Sequence, residues 1–121
     1  MVAVLDDEPE MRKALRRLLA SRGFQVEEYA SGDELLAVLG LHSLHCVLLD
    51  LQMPGLNGFE VLEILCIRQN PVPVIVITAH DEPGTAERVR ALGACAYLKK
   101  PVDCDVLFSA IAKASVCTRK D

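Results

Sequence analysis

The sequence predicts an α/β fold, a (βα)5 arrangement built on a doubly wound, parallel five-stranded sheet. Three observations predict it. Strand-length runs of β-branched and aliphatic residues alternate along the chain with segments of helical periodicity. Helices placed between strands imply right-handed β-α-β crossovers and a sheet covered on both faces. The third and fourth runs, "CVLL" and "VPVIVI", carry no polar side chain, as parallel strands buried on both sides require.

The strands read as Val2–Leu5, Gln25–Tyr29, Cys46–Leu49, Val72–Ile77 and Ala94–Leu98. The first helix runs from about Pro9 to Arg22. Met11, Leu15, Leu18 and Leu19 share one side of it, and Arg12, Lys13, Arg16 and Arg17 form what reads as a solvated basic side. The second opens at Ser31, where "SGDE" has the Ser-x-x-Glu form of a capping box. The third opens near Asn57, with Glu60 three residues on. The fourth has Pro83 in its first turn and Gly93 at its end. The fifth starts at Asp103 and runs to about Ser115.

A chain of 121 residues suits one domain, expected to span residues 1–121. At this length folding buries roughly two thirds of the surface, enough for a core without staples. With 51% hydrophobic but only 4% aromatic residues and no Trp, that core must be aliphatic. A net charge of −4 argues against a nucleic-acid surface within these residues. The five cysteines, at 46, 66, 95, 104 and 117, include no Cys-x-x-Cys pair and read as reduced thiols rather than zinc ligands. No leader is visible, and no apolar run approaches the ~18 residues of a membrane span. A soluble, cytoplasmic protein is expected.

The chemistry lies at the strand ends. Asp6 and Asp7 follow the first strand, Asp50 the third and Thr78 the fourth, while the fifth leads into Lys99, Lys100 and Pro101. In a parallel sheet all carboxyl ends share one edge, and ligands bind in the crevice there. Three carboxylates, a hydroxyl and at least one ammonium therefore converge. Two carboxylates ~4 Å apart repel by about 4 kcal/mol at an effective dielectric near 20. One lysine balances only one charge of three, so a hard divalent cation fits, and Mg²⁺ suits an incomplete cage shared with phosphate oxygens. A carboxylate nucleophile with such a metal and Lys/Thr donors could accept a phosphoryl group.

The acidic pair after strand one, "LLDLQMPGLNG" around strand three, "VITA" at strand four and "YLKKP" at strand five together resemble the receiver domain of bacterial two-component response regulators. The resemblance spans essentially the whole chain, and it implies a flavodoxin-like strand order of 2-1-3-4-5. It implies that Asp50 accepts a phosphoryl group from a phosphohistidine on a sensor histidine kinase or phosphotransfer protein. Asp7 would bind Mg²⁺ directly, Asp6 mostly through water, and Asp50 and the Gln52 carbonyl would complete the protein ligands. Thr78 would donate to the phosphoryl group and Lys100, the lysine immediately before the proline, would pair with it. Tyr97 would be the switch aromatic, turning inward as Thr78 is drawn to the phosphate. Helix four, strand five and helix five would form the output face, and the basic side of helix one could meet the kinase.

Plainer readings stand beside these. Asp6, Asp7 and Glu8 taken alone would be helix N-terminal charges, Asp50 a cap, Thr78 a strand-end residue and Tyr97 a half-buried core residue. His42 and His45, at the opposite edge of the sheet, read as surface residues. His80 lies by the active edge and, with the Gln52 side chain, is expected to tune phosphoaspartate lifetime by admitting or excluding water. A Mg²⁺-dependent aspartyl phosphatase of the haloacid dehalogenase class would need an Asp where Gln52 stands, and a receiver acting only by docking would not need the full polar set. A dinucleotide-binding site lacks its glycine-rich turn after strand one. The resemblance leaves open an effector domain outside this chain, such as a helix-turn-helix output domain, and a homodimer formed on phosphorylation.

Overall fold

The computed structural model describes residues 1–39, 44–53 and 55–114. Strand and helix alternate as β1 (Val2–Leu5), α1 (Pro9–Ala20), β2 (Val26–Tyr29), α2 (Gly32–Val38), β3 (Cys46–Asp50), α3 (Gly58–Ile67), β4 (Val74–Thr78), α4 (Thr85–Ala91), β5 (Ala96–Lys99) and α5 (Cys104–Ala114). The strands form one parallel sheet in the order β2-β1-β3-β4-β5. Both fold class and strand order are as the sequence predicts.

Alternate residues of the central strands feed two separate core layers, which explains why their sequences show no polar interruption. Ala3, Leu5, Val47, Leu49, Val74 and Val76 pack with Leu35 of α2, Val61, Leu62 and Leu65 of α3, and Val89 of α4. Val2, Val4, Cys46, Leu48, Ile75 and Ile77 pack with Leu15 and Leu19 of α1 and with Leu107 and Ile111 of α5. With both faces filled by aliphatic side chains, the sheet is a rigid platform whose carboxyl edge carries the polar residues.

Local bonding moves several boundaries from their predicted places. β2 begins at Val26, one residue later than expected. β4 begins at Val74 because Pro73 has no N–H and the Val72 N–H is taken by the Asn70 side chain at 3.0 Å. β5 begins at Ala96 because the Ala94 N–H still bonds the Val89 carbonyl at 2.9 Å, closing α4 through Gly93 at φ +99°. Pro83 lies before α4 rather than in its first turn: Gly84, at φ +84°, stands between them in the left-handed region and the helix starts at Thr85. α1 stops at Ala20, where the Arg22 and Gly23 amides turn back onto Leu19 and Ala20. The cap at Asn57 forms as a reciprocal box with Glu60, whereas at Ser31 only the bond from the Glu34 N–H to the hydroxyl forms, and the hydroxyl donates to the Glu34 carboxylate at 3.3 Å. Asp103 precedes α5 and accepts from the Asp105 and Val106 amides; Ser115 lies outside the described residues.

The expectation of five reduced thiols holds for Cys46, Cys66 and Cys104. Cys95 instead is disulfide-bonded. Spacing along the chain carries no sign of such a bond, which depends on distance across the fold. Cys117 lies outside the described residues. Burial pushes the Cys46 thiol up to about 12, so it behaves as a core residue.

Candidate functional site

β1 is wholly buried along its length, so the chain leaves the core directly into Asp6 and Asp7. β3 extends through Asp50, one residue further than expected, and Asp50 pairs in register with Ile77 next to Thr78, the last residue of β4. Lys100 follows β5. The sheet thus brings the predicted residues to one edge.

There, Asp6, Asp7 and Asp50 each place a carboxylate oxygen within 4.8 Å of the other two. Asp6 and Asp50 are only 2% and 4% exposed, Thr78 is fully buried, and Asp7 is the most accessible of the three acids. The Lys100 ammonium lies 3.0 Å from Asp6 Oδ2, 3.6 Å from Asp50 Oδ2 and 3.9 Å from Glu8 Oε1. Asp6 Oδ1 accepts the Glu8 N–H at 2.9 Å, and Asp50 Oδ1 accepts the Gln52 N–H at 3.2 Å. Of the two adjacent lysines, Lys100 holds the site and Lys99 turns outward to Asp81; the Lys100–Pro101 peptide is cis.

The electrostatics show an unbalanced site. Burial, reinforced by Asp6, pushes the Asp50 carboxyl up to about 6, against the pull of Lys100 and the Gln52 N–H. For Lys100, burial works against the charge, but the Asp6 hydrogen bond and the Asp50, Asp6 and Glu8 charges outweigh it and raise its pKa. One ammonium among three clustered carboxylates leaves net negative charge inside an all-oxygen donor set. That set fits a hard divalent cation.

Close packing positions Asp50. A Cβ on Gly58, the first residue of α3, would fall 2.7 Å from both the Asp50 carbonyl oxygen and Leu51 Cα. Only glycine lets the helix start rest there, and its N–H bonds the Leu51 carbonyl at 3.2 Å. The capping box at Asn57 then fixes the direction of α3.

Gln52 and His80 are exposed and line a cavity of about 260 Å³ with Phe59 and Arg88, beside the acidic cluster. The Thr78 hydroxyl accepts the His80 N–H at 3.2 Å, so it is engaged with its own loop. Tyr97 is half-buried against the core, and its hydroxyl donates to Asp81 at 2.9 Å. His45 bonds the Ile111 carbonyl at 3.1 Å, near the end of α5, and is therefore a structural contact; His42 lies outside the described residues.

The sequence reading missed two sets of contacts. Arg12 is not on a solvated face: its guanidinium donates to the Asp6 carbonyl and pairs with Glu28 at 3.7 Å, while Arg16 meets Glu28 at 2.7 Å. Helix periodicity separates apolar from polar sides but does not show a long side chain reaching back to a strand end. Asp81 was assigned no role, although its two oxygens serve Tyr97 and Lys99.

Comparison with known families now decides the relationship, because the response regulator receiver domain model matches residues 2–112. The chain belongs to this family. As a receiver it is a domain of two-component signal transduction. It is 36% identical over 113 residues to the transcriptional regulatory protein FixJ of Bradyrhizobium diazoefficiens, covering 93% of this chain and 55% of that protein. It is 42% identical to the positive alginate biosynthesis regulatory protein of Pseudomonas aeruginosa, covering 94% of this chain and 46% of that one. The receiver thus spans about half the length of these relatives. Among solved structures, FixJ-N superposes with a TM-score of 0.88 at 33% identity, covering 95% of this chain and 92% of that one. A receiver protein from Burkholderia phymatum gives 0.82 at 41% identity, covering 99% and 98%. Among the described residues no helix is long and apolar enough to cross a membrane.

Proposed function

We propose that residues 1–121 form a single receiver domain acting as a phosphorylation-activated switch, with Asp50 as phosphoacceptor. The observation that carries this reading is the cluster of buried Asp6 and Asp50 with the more accessible Asp7, and the Lys100 ammonium between Asp6 and Asp50. Asp6, Asp7, Asp50 and the Gln52 backbone carbonyl would hold Mg²⁺, which when bound offsets their mutual repulsion and the charge of an incoming phosphoryl group.

Asp50 is then the nucleophile. Its carboxylate attacks the phosphorus of a phosphohistidine on a sensor histidine kinase or phosphotransfer protein; the P–N bond breaks and the imidazole leaves. Lys100 can follow the new charge, because its ammonium already lies 3.6 Å from Asp50 Oδ2. Thr78 would redirect its hydroxyl proton from the His80 carbonyl, 3.5 Å away, to a phosphoryl oxygen, and Tyr97 would respond as the switch residue. Phosphorylation shifts an existing equilibrium through contacts made better in the active state, and α4, β5 and α5 carry that shift to an output such as transcription. The domain promotes its own phosphoryl transfer and hydrolysis and turns over no external substrate. It would work in the cytoplasm with an effector domain outside this chain, and a homodimer formed on phosphorylation is part of the same reading. Gln52 and His80 would set the lifetime of the phosphoaspartate through the cavity they share.

A time course of intact mass with acetyl phosphate and Mg²⁺ tests both parts. One phosphoryl group should add to the wild type, and none to Asp50→Asn or to metal-free protein. After donor removal, Gln52→Ala and His80→Ala should lose the group at altered rates. An adduct that survives in Asp50→Asn would remove the acceptor assignment, and unchanged half-lives would remove the tuning role.

A further inference from the structure

Away from the acidic cluster, three polar side chains meet where the loop between β4 and α4 crosses β5. Tyr97 Oη donates to Asp81 Oδ1 at 2.9 Å, and the Lys99 ammonium lies 3.2 Å from Asp81 Oδ2. Tyr97 and Lys99 are alternate residues of β5 and so project to the same side of the sheet. One carboxylate from the loop therefore engages two residues of the strand, with each oxygen committed. At the start of the same loop, the Thr78 hydroxyl accepts the His80 N–H. Residues 78–81 are thus fastened at both ends, to themselves at Thr78 and to β5 at Asp81.

The charge states agree with the geometry. The Tyr97 and Lys99 contacts hold the Asp81 carboxyl below the usual carboxylate range. Burial, reinforced by Asp81, pushes the Tyr97 hydroxyl up to about 12. Donor and acceptor therefore keep these states throughout the neutral range.

We infer that Asp81 is a positioning residue that holds Tyr97 and the β4–α4 loop in the unphosphorylated arrangement, and that filling the acceptor site breaks this contact. The Thr78 hydroxyl has one proton, which faces the His80 carbonyl at 3.5 Å, so donating it to a phosphoryl group on Asp50 means giving up that contact. Releasing that bond moves the loop, and Asp81 is only three residues further along it. The hydroxyl of Tyr97 cannot follow the loop and also remain where the ring now places it. Exposed pairs of this kind are weak, which suits a latch that a single phosphoryl group must open. A stronger contact would hold the switch shut.

This inference rests on the proposed phosphorylation switch, and its test separates the two. The affinity for beryllofluoride, a phosphoryl mimic, is measured by calorimetry at saturating Mg²⁺ for the wild type, Asp81→Ala, Tyr97→Phe, their double variant and Asp81→Asn. Asp81→Ala and Tyr97→Phe should each tighten binding by about two- to fivefold, the scale expected for an exposed pair. The double variant should bind no more tightly than the better single variant, because both changes remove the same contact. Asp81→Asn keeps a carbonyl acceptor for Tyr97 and should fall between wild type and Asp81→Ala. Unchanged or weaker binding by Asp81→Ala, or additive effects in the double variant, would overturn the latch while leaving the switch intact. A wild type that takes up no beryllofluoride would overturn both.

Discussion

At the scale of single residues, the site crowds together carboxylates whose charges it cannot balance alone. Asp50 is buried beside Asp6 and Asp7, and its carboxyl is pushed up to about 6 from an ordinary 3.8. A group with a raised folded-state pKa binds protons more tightly in the folded protein. Its ionised form therefore destabilises the metal-free fold fully above pH 6, and the penalty fades as pH falls toward 4. Asp50→Asn should accordingly stabilise the metal-free protein by about 2 kcal/mol at pH 7, since two pH units are worth ~3 kcal/mol, already net of the Lys100 attraction, and solvent near the cluster screens part of that. Urea unfolding should show that gain shrinking between pH 6 and pH 4. With saturating Mg²⁺ the gain should diminish or reverse, because only the wild type presents all three carboxylates. A variant less stable than wild type at pH 7 without metal would contradict this account. The residues of the site itself were legible in the sequence, because strand ends in a parallel sheet must meet. The partners that orient them were not. Arg12 reaching the Asp6 carbonyl, or Asp81 engaging Tyr97, depends on side-chain direction across the fold, which leaves no periodic trace.

At the scale of elements, the start of α3 is as important to the site as the end of β3. Gly58 has no Cβ to strike the Asp50 carbonyl and Leu51 Cα, both backbone atoms that cannot turn aside. Gly32, the first residue of α2, is a natural control. A Cβ there would meet the side chains of Val61 at 2.7 Å and Leu56 at 2.9 Å, not backbone of the acidic site. Gly58→Ala should cost about 1–3 kcal/mol of stability, as overpacking usually does, and should also weaken Mg²⁺ binding and slow phosphoryl uptake. Gly32→Ala should also lower stability but leave the metal affinity, read by calorimetry well below the melting temperature, unchanged. Equal loss of metal affinity in both would reduce Gly58 to a packing residue. Element types and order were readable from hydrophobic pattern, and the caps at Ser31 and Asn57 from their short motifs. The ends of β4, α4 and β5 were not, because single bonds at Asn70, Gly84 and Ala94 decide them. Propensity alone would have carried strand or helix through each.

At the scale of the whole molecule, the sheet gathers charge at one edge and sets the α4–β5–α5 face beside it. Two aliphatic core layers make the strands a stiff support. A change at Asp50 should therefore move the loops at the strand ends rather than deform the sheet, since packed interiors resist continuous deformation. β3 and β4 are adjacent, and β4 and β5 are adjacent, so the shortest physical route from Asp50 to Tyr97 crosses Thr78 and its loop. The central claim is that one acidic site is coupled along that route to one face. Backbone NMR of the ¹⁵N-labelled protein, titrated with Mg²⁺ and then with beryllofluoride, tests it most directly. Mg²⁺ alone should shift amides around Asp6, Asp7, Asp50 and Gln52, and beryllofluoride should extend the changes through residues 78–81 to Tyr97 and Lys99. Shifts confined to the acidic cluster after both additions, with β5 unmoved, would contradict the account.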